Sequence, residues 1–219
     1  MNERAKTRKI VTVGMLCAVA YVFTLIGHFI PIYFNDFLKY DPKDAIIVIA
    51  GFSIGPLSAL IISVTVALLE LITISTTGVI GFLMNVLASI AFACVASLIY
   101  KLKKSVSTAS IGLFVASALT VGAMLLWNYL VTPIYMGVPR EVVANMLLPV
   151  FLPFNVIKCG LNSALALLIY KPCVRAMRRA RLLDERPRKT DGKTKQSIIV
   201  TICALALMAI MIVLFIVKS

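Results

Sequence analysis

Lys158 is the one charged residue in the apolar run from Leu152 to Tyr170, and it stands between Asn155 and Asn162. An ammonium at the centre of a membrane segment costs about 2.5–3.5 kcal/mol on insertion scales, so it requires a specific compensation. Positions 155, 158 and 162 are spaced i, i+3 and i+7, which on a helix places the two amides and the cation within an arc of roughly 60°. Such a stripe offers N–H donors and one positive charge to a ligand. A lysine that merely snorkels to the interface is the alternative, but it leaves the two amides unexplained.

A second stripe lies upstream. Asn128, Thr132 and Tyr135, at i, i+4 and i+7 beside Trp127, share a helical face. Asn and Thr also bridge helices in bilayers, and Trp and Tyr also mark the interface. Asn85 and Glu70 add polar groups near the same side, and Glu70 is a candidate ion-pair partner for Lys158. Asp41 and Asp44 bracket Pro42 as an N-cap, an N1 proline and an N3 acid would, leaving Lys39 and Tyr40 to face a ligand. Taken together, the amides, aromatics and single cation suit a flat or partly apolar ligand with many hydrogen-bonding atoms and little net charge.

The elements that must position these groups are membrane helices. Of 219 residues, 61% are hydrophobic and 14% charged, and the mean hydropathy is +1.00. These values mark an all-α integral membrane protein. The net charge of +13 sits between apolar runs, which speaks for membrane topology and not for nucleic acid. Five cysteines are scattered without a C-x-x-C pair, so neither a disulfide framework nor a metal site is indicated. The apolar runs are 10–30, 45–62, 64–74, 79–100, 109–135, 146–170 and 197–217. The first is read as a retained span, being too long for a signal-peptide core. Gly51, Gly55 and Pro56 predict a tight turn joining two short helices in the second and third runs. Pro153 is expected near the start of the sixth helix, which would put Lys158 about one turn below the outer surface.

Loop charge sets the orientation. The N-terminal arm, the 101–104 loop and the 171–195 segment carry 17 of the 22 Lys and Arg residues. With the N-terminus in the cytoplasm and six spans, all three segments lie inside. The expected organisation is a six-helix membrane domain over 1–175, a basic cytoplasmic linker over 176–196 and an extra transmembrane helix over 197–217. Catalysis is not expected. His28 is the only histidine, no H-E-x-x-H, D-D-x-x-D or Ser/His/Asp set accompanies it, and no G-x-x-x-x-G-K-[ST] loop is present to bind nucleotide phosphates.

Several separated blocks resemble one family. They are Leu38-Lys39-Tyr40-Asp41-Pro42, Gly55-Pro56-Leu57, Ser75-Thr76-Thr77-Gly78, Trp127-Asn128 with Thr132-Pro133-Ile134-Tyr135, Pro139-Arg140 and Leu152-Pro153-Phe154-Asn155-x-x-Lys158. From about residue 8 to 172 the chain resembles the riboflavin-specific substrate-binding (S) component of energy-coupling factor (ECF) transporters. The resemblance implies a six-helix bundle in the cell membrane, riboflavin bound near the outer surface under the first loop, and no cofactor. It also implies a transmembrane T subunit and two cytoplasmic ATPases as partners. Asn128, Asn155 and Lys158 would hold the polar edge of the isoalloxazine ring, with Tyr40, the backbone near Lys39, and Asn85 closing the pocket. Thr132, Glu70 and Asn162 are weaker candidates. Where the family often docks through Ala-x-x-x-Ala, this chain has Gly14-x-x-x-Ala18 beside Ala20. An S component for another vitamin is the alternative, since a carboxylate such as that of pantothenate could pair with Lys158. The helix over 197–217 exceeds the six spans that the resemblance implies.

Overall fold

A computed structural model of the chain describes residues 3–29, 33–34, 38–183 and 194–218. Its helices are α1 (Glu3–Phe29), α2 (Lys43–Ser53), α3 (Pro56–Thr73), α4 (Gly78–Lys103), α5 (Val106–Met136), α6 (Arg140–Arg179) and α7 (Thr194–Lys218). Between α1 and α2 lies a small antiparallel hairpin, β1 (Tyr33–Phe34) with β2 (Leu38–Lys39), in which Tyr33 pairs with Lys39 and Phe34 with Leu38. Helices α1, α3, α4, α5 and α6 are long and apolar enough to cross a membrane. The outside of the bundle is apolar, with Ile10, Phe114 and Leu148 each more than 70% exposed, as expected of a surface solvated by lipid.

Helix α2 is different. At 11 residues it is about 16 Å long, well short of a bilayer core of about 30 Å. Yet every residue from Lys43 to Phe52 is buried, because α1, α3, α4 and α6 all pack on it. A helix apolar on all sides belongs in the middle of a bundle, and its N-terminus therefore delivers Lys43 and Asp44 into the interior.

The α2–α3 break follows the Gly-Pro signal. Gly55 has φ +134°, a backbone region open to glycine, and Pro56 is the first residue of α3. The boundary falls at 54–55, inside the apolar run 45–62, since apolar character continues across the turn and only the backbone marks it. Gly51 sets how closely α2 approaches α3 and α4: a Cβ there would stand 2.8 Å from Ser97 Cβ and 3.1 Å from Ala59 Cβ. Gly51→Ala is therefore expected to cost about 1–3 kcal/mol by overpacking and to lower the melting temperature in detergent. Gly14→Ala, which meets nothing within 4 Å, should leave it unchanged, and equal melting of the two variants would refute this account of the contact.

The regular α-helix of the sixth run does begin at Leu152, with Pro153 in its first turn as expected, but the helical rod starts earlier. It runs from Arg140 through a π-helical turn at Leu147–Phe151 that contains Pro149. Proline cannot donate the next helical bond and crowds the preceding turn. The wider π turn absorbs both effects and lets the helix continue. At its other end α6 reaches Arg179, past the expected domain limit at 175. Of the basic linker, Arg186, Arg188 and Lys189 lie outside the described residues.

Candidate functional site

Helices α2, α4, α5 and α6 enclose a cavity lined by Asp44, Ala88, Phe92, Thr120, Asn155, Lys158, Cys159 and Asn162. Its volume is about 10 Å³, room for about one water molecule. The site is therefore closed in this conformation, and a drug-sized ligand, which needs a pocket of roughly 300 Å³ or more, enters only if the walls move apart.

The predicted stripe on α6 lines this cavity as a unit. Lys158 is half-buried and makes no hydrogen bond or ion pair among the described residues, so its N–H donors are uncommitted. Asn155 is buried and donates from Nδ2 to the Phe151 carbonyl at 2.8 Å, at the end of the π turn. Asn162 reaches across to the first loop: its Nδ2 donates to the Asp41 carbonyl at 3.2 Å, and its Oδ1 accepts from the Tyr40 hydroxyl at 3.4 Å. Asn162 thus ties α6 to the strand that leads into α2. Lys158 lies in the second turn of the α-helix that starts at Leu152, while the helical rod as a whole begins further back, at Arg140.

Beside the cavity lies an ionic network that the sequence pattern did not reveal. Lys43, 1% exposed, places Nζ 2.6 Å from Asp41 Oδ2 and 2.7 Å from Glu70 Oε2. The other Glu70 oxygen accepts from Asn85 Nδ2 at 2.9 Å. Glu70 is thus paired with Lys43, so the alternative in which it pairs with Lys158 does not hold; the N-terminus of α2 points its lysine at Glu70 of α3, while Lys158 lines the cavity. The capping expectation for Asp41 and Asp44 is corrected as well. Asp41 Oδ1 does accept from the Lys43 N–H at 3.0 Å, but Asp44 turns inward and accepts from Ser89 Oγ at 2.5 Å. Ser89 immediately precedes the π turn of α4 at Ile90–Cys94.

Electrostatics follow from this packing. Burial alone would raise the Asp41 carboxyl, but the Lys43 and Lys158 charges outweigh it and hold the group below the usual carboxylate range. Burial, reinforced by Asp41 and Asp44, pushes the Tyr40 phenol upward, so the hydroxyl stays a donor toward Asn162. A carboxylate at Asp44 facing the cavity, with Asp41 close by, makes the site a poor one for a strongly anionic ligand despite Lys158.

The remaining predicted residues are distributed more widely. Asn128 is buried on α5 and donates to the Met124 carbonyl at 2.7 Å, while Thr132 donates to Asn128 Oδ1 at 2.9 Å. Asn128 stands on the same buried face as Thr120, about 12 Å further along α5, and is not part of the closed cavity wall. Tyr135 does not join this stripe, being 48% exposed. Asn85 serves the Lys43 network, and Lys39 is exposed on the hairpin. Thr120, Asp44 and Lys43 were missed; the one available signal was Glu70, an intramembrane carboxylate that demanded a cation. On α1, Gly14 and Ala18 are exposed, with nothing within 4 Å of a Cβ at Gly14. Ala20 is fully buried in the core, so it does not share their surface: two residues past Ala18 the helix has turned by about 200°.

Comparisons with known proteins converge on one group. The family model "ECF transporter, substrate-specific component" matches residues 8–170. The chain is similar to the riboflavin transporter RibU of Staphylococcus aureus, 30% identical over 190 residues that cover 82% of this chain and all of that one. It is also similar to the riboflavin transporter FmnP of Bacillus subtilis, 27% identical over 81% of this chain and 99% of the other. A solved structure of the S component of a bacterial ECF transporter superposes with a TM-score of 0.67 at 28% identity, covering 80% of this chain and 99% of that one.

Proposed function

The chain belongs to the substrate-specific components of ECF transporters, multi-pass membrane proteins that bind and carry a substrate without catalysing its conversion, and from that premise we propose that its ligand is riboflavin. The carrying observation is Lys158, whose donors are uncommitted among the described residues at a cavity that also presents Asn155 and Asn162. The polar edge of an isoalloxazine ring alternates carbonyls with an N–H, and an ammonium with neighbouring amides supplies the donors and the acceptor this edge requires. Asn128, further along α5, extends the polar surface in the direction an elongated ligand would occupy. The similarity to RibU and FmnP supports the same ligand.

Binding requires the closed cavity to widen. The first loop is the element to move, because among the described residues the hydrogen bonds joining Tyr40 and Asp41 to α6 all run to Asn162, at distances of 3.2–3.4 Å, and such bonds are each worth about 1 kcal/mol net. Loop charge supports an N-terminus in the cytoplasm and a loop side facing out. Transport follows when a transmembrane T subunit, driven by two cytoplasmic ATPases, reorients the bundle. The exposed Gly14 and Ala18 on α1 offer that subunit a close helix contact.

Protein purified from cells grown in riboflavin-rich medium is expected to be yellow, and titration should quench flavin fluorescence with submicromolar affinity. Unchanged fluorescence in the presence of well-folded protein would remove riboflavin as the ligand. Competition by excess unlabelled pantothenate would identify a carboxylate-bearing substrate instead, a case disfavoured by Asp44 on the cavity wall.

A further inference from the structure

Helix α7 lies outside the residues that the family shares, since the match ends at residue 170. It is not a detached anchor. It packs along α6 and runs antiparallel to it: Met211 lies against Gly160, each well over a dozen residues from the segment joining the two helices. The approach is close, for a Cβ at Gly160 would stand 2.9 Å from Met211 Cε and 3.1 Å from its Cγ and Sδ. Glycine there admits the neighbouring helix as small residues do at membrane helix contacts.

The contact reaches the ligand site. Phe154, Ile157 and Leu161 form a separate buried cluster on α6, against which Leu38 and Tyr40 of the first loop, Val150, and Met208 and Met211 of α7 all pack. These cluster residues interleave with the cavity residues Asn155, Lys158 and Asn162 on the same helix. A flexible thioether fills irregular gaps and conforms to a surface that must shift. Two such thioethers, Met208 and Met211, pack on the cluster.

We propose that α7 is a positioning element for the substrate site, bracing Phe154, Ile157 and Leu161 so that Leu38 and Tyr40 close on a firm surface and retain the bound ligand. The inference rests on the riboflavin reading for its ligand readout, but its mechanical core does not. Lost bracing acts on escape and not on encounter, because the open site is the same in both cases; affinity changes within one binding site fall mainly on dissociation.

The test uses the full chain in detergent, comparing wild type with Met208→Ala/Met211→Ala, with the milder Gly160→Ala, and with Ile210→Ala as a control on the exposed face of α7. Riboflavin release is followed by fluorescence recovery, and backbone hydrogen exchange is read over residues 38–42. The double variant should release flavin about fivefold faster or more, with association within about twofold of wild type, and exchange over 38–42 should accelerate. Gly160→Ala should move both in the same direction, and Ile210→Ala neither. Release and exchange at wild-type values in both the double variant and Gly160→Ala would overturn the proposal. If wild type binds no riboflavin, the ligand reading fails alone, and faster exchange over 38–42 still decides the role of α7.

Discussion

Replacing Lys43 with methionine is expected to be among the most damaging single changes in the chain. The ammonium is 1% exposed and joins the first loop through Asp41 at 2.6 Å to α3 through Glu70 at 2.7 Å, and Glu70 continues to Asn85 on α4. Methionine matches the length of the side chain but leaves two largely buried carboxylates facing each other, with Asp44 on the next residue. Removing one partner from a buried ion pair costs about 3–5 kcal/mol. For a chain of this size that corresponds to a fall in melting temperature of roughly 6–20 °C. The double change Lys43→Met with Glu70→Gln should recover part of this loss, since it removes one unpaired charge and retains an acceptor for Asn85. Thermal unfolding in detergent decides the matter: if Lys43→Met melts no lower than Lys6→Met, a change at an exposed surface pair, then the network does not hold the loop. Flavin affinity should fall with stability in Lys43→Met, since the strand entering α2 carries Tyr40 and Asp41 to Asn162.

The contrast between the two lysines explains what could be seen in the sequence. Lys158 announces itself because it interrupts an apolar run, and its amide neighbours lie at helical spacing; the helix does bring all three to one cavity. Lys43 sits in Asp41-Pro42-Lys43-Asp44, a stretch that reads as a solvated, capped helix start. It becomes interior only because α2 is short and wholly enclosed, a fact of assembly that local pattern does not encode. Five long apolar helices were legible from hydropathy, the second apolar run instead holds the 11-residue α2, too short to cross, and Gly55-Pro56 located a turn. A proline rule for helix starts located the α-helix that begins at Leu152 but not its extension back to Arg140, because a π turn accommodates Pro149. Ala20 shows a similar limit: the small residues of α1 are visible in sequence, but which of them face outward depends on α2 and α3 packing against that helix.

Lys158→Ala should separate ligand binding from folding more sharply than any other substitution at the cavity. Lys158 ties no elements together among the described residues, so its removal breaks no structural bond, in contrast to Lys43. What it withdraws is a charged donor from the ligand and a positive potential from Asp41. A hydrogen bond to a charged group is worth about 1.5–3 kcal/mol, which predicts a Kd for riboflavin raised by about 10- to 150-fold. Asn155→Ala should act in the same direction but less, by about 2- to 13-fold, because its partner bond is neutral. Its Nδ2 bond to the Phe151 carbonyl runs within α6, so stability should change little. Lys158→Arg supplies the control for charge: the potential at Asp41 is kept while the point donor becomes a larger planar fork, so the melting temperature should stay near wild type and affinity should not be restored. Fluorescence titration of the three variants, each paired with a melting curve, distinguishes the outcomes. Wild-type affinity in both alanine variants would place the ligand elsewhere in the bundle. Full affinity in Lys158→Arg would show that the site needs only a positive charge, as a carboxylate ligand would, and not the geometry of a donor set to meet a carbonyl.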